Sequence, residues 1–405
     1  MFETISTIDW ANISHSHDTA EDVPVQLAAL AGTDKKAQDA ALSYFWEYML
    51  HQGSRYEASP NVVPFLFEVL ESTTCSIQRE LIDLLRALGV GYGGTFLPFG
   101  YDLKEEERRF QEQDNCNKLY DYEDARSAYF AVHNKATVFA RFLGPSHDPD
   151  VRLSAAFAVA HFAQPLSATH RDVARYIQGE TDEAQLHSLL LCYGMLGRFA
   201  GGQAELRFVL PYLEDHVATL LRVSAAIAIV TVLGPEAPES ARQTLLRALG
   251  QAWTIACPRE DWEWWNEGDL LGYAALALRL VAPQHRDEIV RALCEALTKT
   301  DACTFAIPNT LLDLLFPEPK PVQGWDVSDF DDAQRTSLKI LLATEHWKDF
   351  MINFRFLPSG LTGNAYQSAL AKFLFDVTGE HDRKDSISGR GGNVSSWNYE
   401  KHWPH

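Results

Sequence analysis

The residues best equipped for chemistry gather in one short run, Pro258-Arg259-Glu260-Asp261-Trp262-Glu263-Trp264-Trp265-Asn266-Glu267. The face of an indole ring attracts a cation, and a neighbouring carboxylate adds countercharge. Trp262, Trp264 and Trp265 with Glu260, Asp261, Glu263 and Glu267 therefore suit a lysine or arginine from a partner protein, and tryptophan is enriched at binding hot spots. The same rings can instead plug a gap between packed helices and leave the acids to solvent. Two further stretches repeat the theme. One is Leu119 to Asp124, with Tyr120, Asp121, Tyr122, Glu123 and Asp124; the other is Trp325 to Asp332, with Trp325, Asp326, Asp329, Asp331 and Asp332.

Other chemistries find little support. The 14 histidines include no H-E-x-x-H and no His-Glu dipeptide. His15/His17 and His402/His405 have ligand-like spacing, yet lie near the ends of the chain, where a surface role is expected; the reading is no metal and no cofactor. Cys75, Cys116, Cys192, Cys257, Cys294 and Cys303 form no C-x-x-C pair and read as reduced core thiols of a cytoplasmic protein. Gly89, Gly91, Gly93, Gly94 and Gly100 are spaced somewhat like a phosphate loop, but no strand precedes them and no Lys-Ser/Thr closes the run. No G-x-S-x-G marks a nucleophile, and the carboxylates are too many to single out an acid–base pair. No catalytic set emerges.

Charge limits the partners. The 405 residues carry 35 basic and 55 acidic side chains, a balance of −20. Such a surface repels phosphate backbones and speeds encounter with cations, although acidity also simply keeps a protein soluble. The only adjacent basic pairs are Lys35-Lys36, Arg108-Arg109 and Arg383-Lys384. No uncharged apolar stretch reaches the length of a membrane span, and Met1 to Ser14 has no signal-peptide pattern.

The elements that must position these residues read as helices. Asp148-Pro149-Asp150-Val151-Arg152-Leu153-Ser154-Ala155-Ala156 begins one, with Asp148 as cap and Pro149 in the first turn. Val151, Ala155, Ala158 and Phe162 recur at helical spacing and predict a single buried face. Similar starts occur at Asp34, Thr74 and Thr181. Ala218 lacks the cap, but Val223 to Ala226 matches Leu153 to Ala156. The steps between the starts at 34, 74, 148, 181 and 218 are 40, 74, 33 and 37 residues. A further 49 reaches Glu267 and another 33 reaches Thr300; the shorter steps fit one two-helix repeat and the longer ones a repeat plus an insertion.

Helix pairs are expected at 23–31 with 34–50, 60–71 with 75–88, 127–143 with the Asp148 helix, and 169–178 with 181–199. Others are expected at 205–213 with 217–233, 238–253 with 269–281, and 286–298 with 303–316. Residues 333–343 and 366–377 predict the last helices. Residues 1–21 form a lead-in anchored by Trp10, 22–378 the array, and 379–405 a tail pinned by its aromatics. Insertions fall at 89–124, 254–268 and 317–332.

In these repeated starts the chain resembles the HEAT-repeat family, over roughly residues 20 to 316. Asp148 to Ala156 is close to that family's turn and second-helix pattern. Leu50 to Ala58, leading into Pro64-Phe65-Leu66, is similar to the opening repeats of some bacterial HEAT-repeat proteins. The T-P-L-H run of ankyrin repeats and the W/G/Y/P pattern of tetratricopeptide repeats are missing. The resemblance implies an all-α, right-handed α-α superhelical solenoid of about seven to nine HEAT-like helix pairs, with the second helix of each pair facing the concave side. It implies a binding role with no catalysis. Taken with the acidity, the reading is an immunity-type inhibitor of a cationic toxin or effector domain, a protein partner without membrane. Rival readings are a regulatory or lyase-like HEAT scaffold and, less favoured, a HEAT-like DNA glycosylase, which needs a basic groove and makes nucleic acid an unlikely partner. The iron-binding deoxyhypusine hydroxylases of that family use His-Glu pairs, which this chain lacks.

Overall fold

The computed structural model describes residues 1–72, 75–91, 99–101, 107, 122–164, 166–200, 205–250, 269–299, 306–317 and 330–343. Among the described residues every regular element is a helix, and the only β feature is an isolated antiparallel bridge between Ser14 and Thr19. The fold class is all-α.

Fifteen α-helices are described. They are α1 Val23–Leu30, α2 Lys35–Tyr44, α3 Ala58–Leu70, α4 Gln78–Val90, α5 Tyr122–His133, α6 Thr137–Ala140 and α7 Pro149–His161. There follow α8 His170–Gly179, α9 Glu183–Phe199, α10 Thr219–Leu233, α11 Glu239–Gly250, α12 Leu270–Leu278, α13 Ala282–Lys299, α14 Ala306–Leu315 and α15 Asp332–Ala343. A π-helical turn, Phe45–Met49, extends α2, and α13 kinks at His285.

The helix starts follow their caps. Asp34 accepts from the N–H groups of Lys36 and Ala37, Asp148 from Asp150, Asp182 from Gln185 and Asp269 from Gly272. Each satisfies an amide that the first helical turn leaves without a partner. Ala218, as expected, starts α10 without a side-chain cap.

Two expected helices differ. Residues 127–143 do not form one helix: α5 starts earlier, at Tyr122, and the chain turns through Asn134–Ala136 before α6 and a 3-10 turn at Arg141–Leu143. Residues 205–213 form only two 3-10 turns, Leu206–Phe208 and Leu210–Leu213. Pro211 opens the second of these and has no N–H to continue an α-helical ladder from the first. The expected helix at 366–377 and the tail at 379–405 lie outside the described residues.

Helices pack chiefly on near neighbours in the chain, in two rows. In one row α4 meets α7, α7 meets α9, α9 meets α10, α10 meets α12 and α12 meets α14. On the other side α1 meets α3, α3 meets α5, α11 meets α13 and α13 meets α15. Cross-contacts join α3 to α4, α4 to α5, α8 to α9, α10 to α11, α11 to α12 and α13 to α14.

The middle of the first row is sealed. In α7 every residue from Leu153 to His161 is buried, and in α9 every residue from Ala184 to Gly197. The Asp148 helix therefore does not have the single buried face that its spacing predicts. Its alanines let neighbours close in from several directions, so the faces between Val151, Ala155, Ala158 and Phe162 are covered too. Contact between α9 and α10 is tight at Gly194, where an added Cβ would lie 2.6 Å from the Ala228 Cα. Between α4 and α7, a Cβ on Gly89 would lie 2.6 Å from the Phe162 ring.

Among the described residues one window, Thr219–Glu236, reaches the length and hydropathy of a membrane span despite Arg222. In the fold that apolar surface is used against α9, α11 and α12. The lead-in is held as expected. Trp10 is buried against Phe65 of α3, its Nε1–H donates to the Ile5 carbonyl at 3.0 Å, and Phe2 packs edge-on against the same Phe65 ring.

Candidate functional site

Most of the acidic-aromatic residues singled out by sequence lie outside the described residues: Glu260, Asp261, Trp262, Glu263, Trp264, Trp265, Glu267, Tyr120, Asp121, Trp325, Asp326 and Asp329. The other five sit at helix starts. Tyr122, Glu123 and Asp124 form the first turn of α5, where negative charge complements the helix dipole, and Glu123 pairs with Arg126 at 3.1 Å. Asp331 caps α15. Its Oδ1 accepts from the Gln334 N–H at 2.7 Å, while Gln334 Oε1 accepts from the Asp331 N–H at 2.9 Å. Asp332 pairs with Arg335 at 2.5 Å.

Several buried polar groups pair with one another inside the fold. His187 Nδ1 lies 2.6 Å from Ser224 Oγ, the spacing of a nucleophile and its base. The Ser224 hydroxyl, however, donates to the Leu220 carbonyl at 2.7 Å, so the imidazole must supply the proton between them. That polarity is the reverse of a serine nucleophile and its base. Burial pushes His187 down to about 3 and keeps it neutral.

Arg152 of the repeated helix start is equally structural. It reaches Glu180 at 2.5 Å, with both side chains almost covered, and its Nε–H donates to the Leu143 carbonyl. Burial raises the Glu180 pKa, but N–H groups of Asp182 and Thr181 together with Arg152 outweigh it and hold the carboxyl below its ordinary value. Asp83 faces α7 from α4. Burial lifts it to about 6 against the pull of Arg86, Ser154 and Arg79. Cys192 is fully buried in α9, and its thiol is pushed up by desolvation. Among the described residues no three His, Cys, Asp or Glu side chains are placed to hold a metal ion.

An acidic-aromatic assembly does exist, where the sequence pattern gave no warning of it. Residues 13–20 fold into a tight reversal, closed by Ala20 N–H to the Ile13 carbonyl and His15 N–H to the Asp18 carbonyl, each 2.9 Å. His15 is buried inside the turn, and its Nδ1 accepts from the N–H groups of His17 and Asp18 at 3.2 Å. That fixes the proton on Nε2, which points toward Asp22 at 3.7 Å. Burial lowers the His15 pKa, and Asp22 opposes the shift without reversing it. His15 is thus a turn-forming residue inside an ordered segment, not one of a pair of surface histidines.

The turn docks on the end of the π-helical segment. Ser16 donates its N–H to the Tyr48 carbonyl at 3.1 Å and its hydroxyl to the Glu47 carbonyl at 3.2 Å, satisfying acceptors that the helix end leaves open. Docking assembles five rings. Tyr44 and Tyr48 stack at 4.6 Å, His15 meets both edge-on, and His17 lies 4.8 Å from Tyr48 and 5.5 Å from His51. Tyr44 donates to Asp22 at 2.7 Å. His17, Asp18 and Glu47 are exposed, and Tyr48 and His51 are half-buried. Residues 1–34 contain Glu3, Asp9, Asp18, Glu21, Asp22 and Asp34 but no lysine or arginine.

No protein-family model matches the chain, and neither a curated protein nor a solved structure matches it. The fold alone defines the class, an all-helical protein.

Proposed function

We propose that this chain is a HEAT-like α-solenoid that recognises a cationic protein partner and performs no catalysis. The observation that carries this reading is the two-row order of the helices, in which each helix meets mainly its neighbours along the chain. Stacks of this kind build extended surfaces suited to protein recognition. The charge of −20 selects cationic partners and disfavours phosphate backbones. Within that class, we favour an immunity-type inhibitor that covers a basic toxin or effector domain.

Affinity capture with the full-length chain, followed by identification of what co-elutes, tests the reading. A basic protein retained at low salt and released as ionic strength rises supports it. A partner held equally well at all salt concentrations would remove the electrostatic component. Selective retention of duplex DNA would replace the reading with a nucleic-acid role.

A further inference from the structure

The proposed function leaves open where a cationic partner is held. We propose that the face made by His17, Tyr48 and His51, with the adjoining Asp18 and Glu47, docks an arginine- or lysine-bearing segment of the partner protein; this rests on the cationic-partner reading above. The rings lie close enough to act together, at 4.8 Å and 5.5 Å between centroids, and the stacked Tyr44 backs Tyr48 from the core side. Their positions are set by buried groups, because the Ser16 bonds to the Tyr48 and Glu47 carbonyls and the His15 bonds within the turn fix the approach of His17. A preorganised surface loses little entropy on binding, and a guanidinium or ammonium laid on the Tyr48 ring gains cation–π attraction, with the His17 and His51 rings flanking it.

Charge selects the same occupant. Asp18 and Glu47 are exposed and adjoin His17 and Tyr48 in the chain, the Asp18 carboxylate also accepting from the Thr19 N–H at 2.8 Å, and Asp22 contacts both His15 and Tyr44. The only cationic side chains in residues 1–55 other than histidines are Lys35, Lys36 and Arg55; Lys35 is held by Asp39 at 2.7 Å, and Arg55 is buried and donates to the Gly53 carbonyl at 2.7 Å. Phosphate backbones meet repulsion here, and a bound metal ion lacks a third protein ligand among the described residues. A basic polypeptide segment satisfies rings and carboxylates together.

The test uses fluorescence anisotropy with the full-length chain and a fluorescein-labelled dodecapeptide of alternating arginine and glycine, at low salt. Wild type should bind, and Asp18→Asn/Glu47→Gln should weaken binding about tenfold. Tyr48→Leu should weaken it about fivefold with no change in charge. Glu183→Gln/Glu214→Gln, the same charge change at distant exposed positions, should stay within about twofold. Thermal melts of the two charge variants should match wild type, and His17→Ala provides a second ring deletion should Tyr48→Leu prove unstable. If the distant pair weakens binding as much as the local pair, or if both ring deletions bind like wild type, this face is not the site, although the cationic-partner reading stands. If the wild-type chain ignores the peptide, that reading falls as well.

Discussion

The middle of the helical array and the first 54 residues solve the same problem, fixing a chain in place, by different means. In α7, α9 and α10 small and aliphatic residues predominate, and the helices approach until Gly194 has no room for a methyl group. Polar atoms there, such as Ser224 and His187, are turned inward on one another. Residues 13–20 bury little apolar surface and are held by backbone and hydroxyl hydrogen bonds to the end of a neighbouring helix. The first arrangement commits those side chains to packing. The second leaves rings and carboxylates facing water. Tight packing and an available surface are alternatives for the same side chains, and in this chain they fall in different places.

Substitutions can sharpen or break that contrast. Gly194→Val should have the largest effect, destabilising the array by about 3 kcal/mol or more, because the obstructing atoms belong to the α10 backbone. A denaturant titration checks this, and a loss under about 1 kcal/mol would show that the crossing yields easily. Acidification should act next. His187 is neutral in the fold down to about pH 3, whereas the unfolded chain takes up that proton near pH 6.5. Stability should therefore fall as pH drops below about 6.5, by a few kcal/mol at most from this residue. His187→Asn should flatten that part of the pH profile, and a profile of unchanged slope would contradict the assignment.

Arg152→Ala should cost about 2 kcal/mol, since it leaves Glu180 in place with its partner removed. Glu180 has other donors in Thr181 and Asp182, which keeps the loss below that of a fully isolated charge. Paired denaturant curves for Arg152→Ala and Arg152→Lys read the size and the dependence on guanidinium geometry. The smallest global effect is expected at the opposite end of the chain. His15→Ala should lower overall stability by about 1 kcal/mol or less while speeding hydrogen exchange at the His17 and Asp18 amides. A large global loss from His15→Ala would show that the lead-in and the array unfold as one unit and would remove the contrast.

Much of the helical order is legible in the chain. Asp34 and Asp148 are read as helix starts and are found capping, whereas the start read at Thr181 is capped one residue later by Asp182, that read at Glu267 is capped by Asp269, and the helix read from Thr74 begins at Gln78 with no side-chain cap. Local bonds of this kind involve residues two or three apart, so sequence spacing determines them. Burial on every side of α7 is not visible there, because it depends on which helices arrive from elsewhere. The 3-10 turns at 206–213 were hidden by leucine and phenylalanine spacing that also suits an α-helix. Of the acidic-aromatic motifs, the residues that are described stand at helix starts. Asp331 with Gln334 is a capping box, and the D-x-x-Q spacing itself announces that role.

The His17–Tyr48–His51 face marks where sequence reading stops. His15, Ser16 and His17 are adjacent in the chain, but Tyr48 and His51 lie about thirty residues further on, and nothing in either segment names the other. The sequence by itself determined the all-helical class, most helix starts, the charge and the Trp10 anchor, because each depends on near neighbours or on simple sums. Tertiary structure decided which helices are sealed on all sides, which way the Ser224 proton points, and how three histidines and two tyrosines come together, because those depend on contacts between segments that sequence distance does not encode.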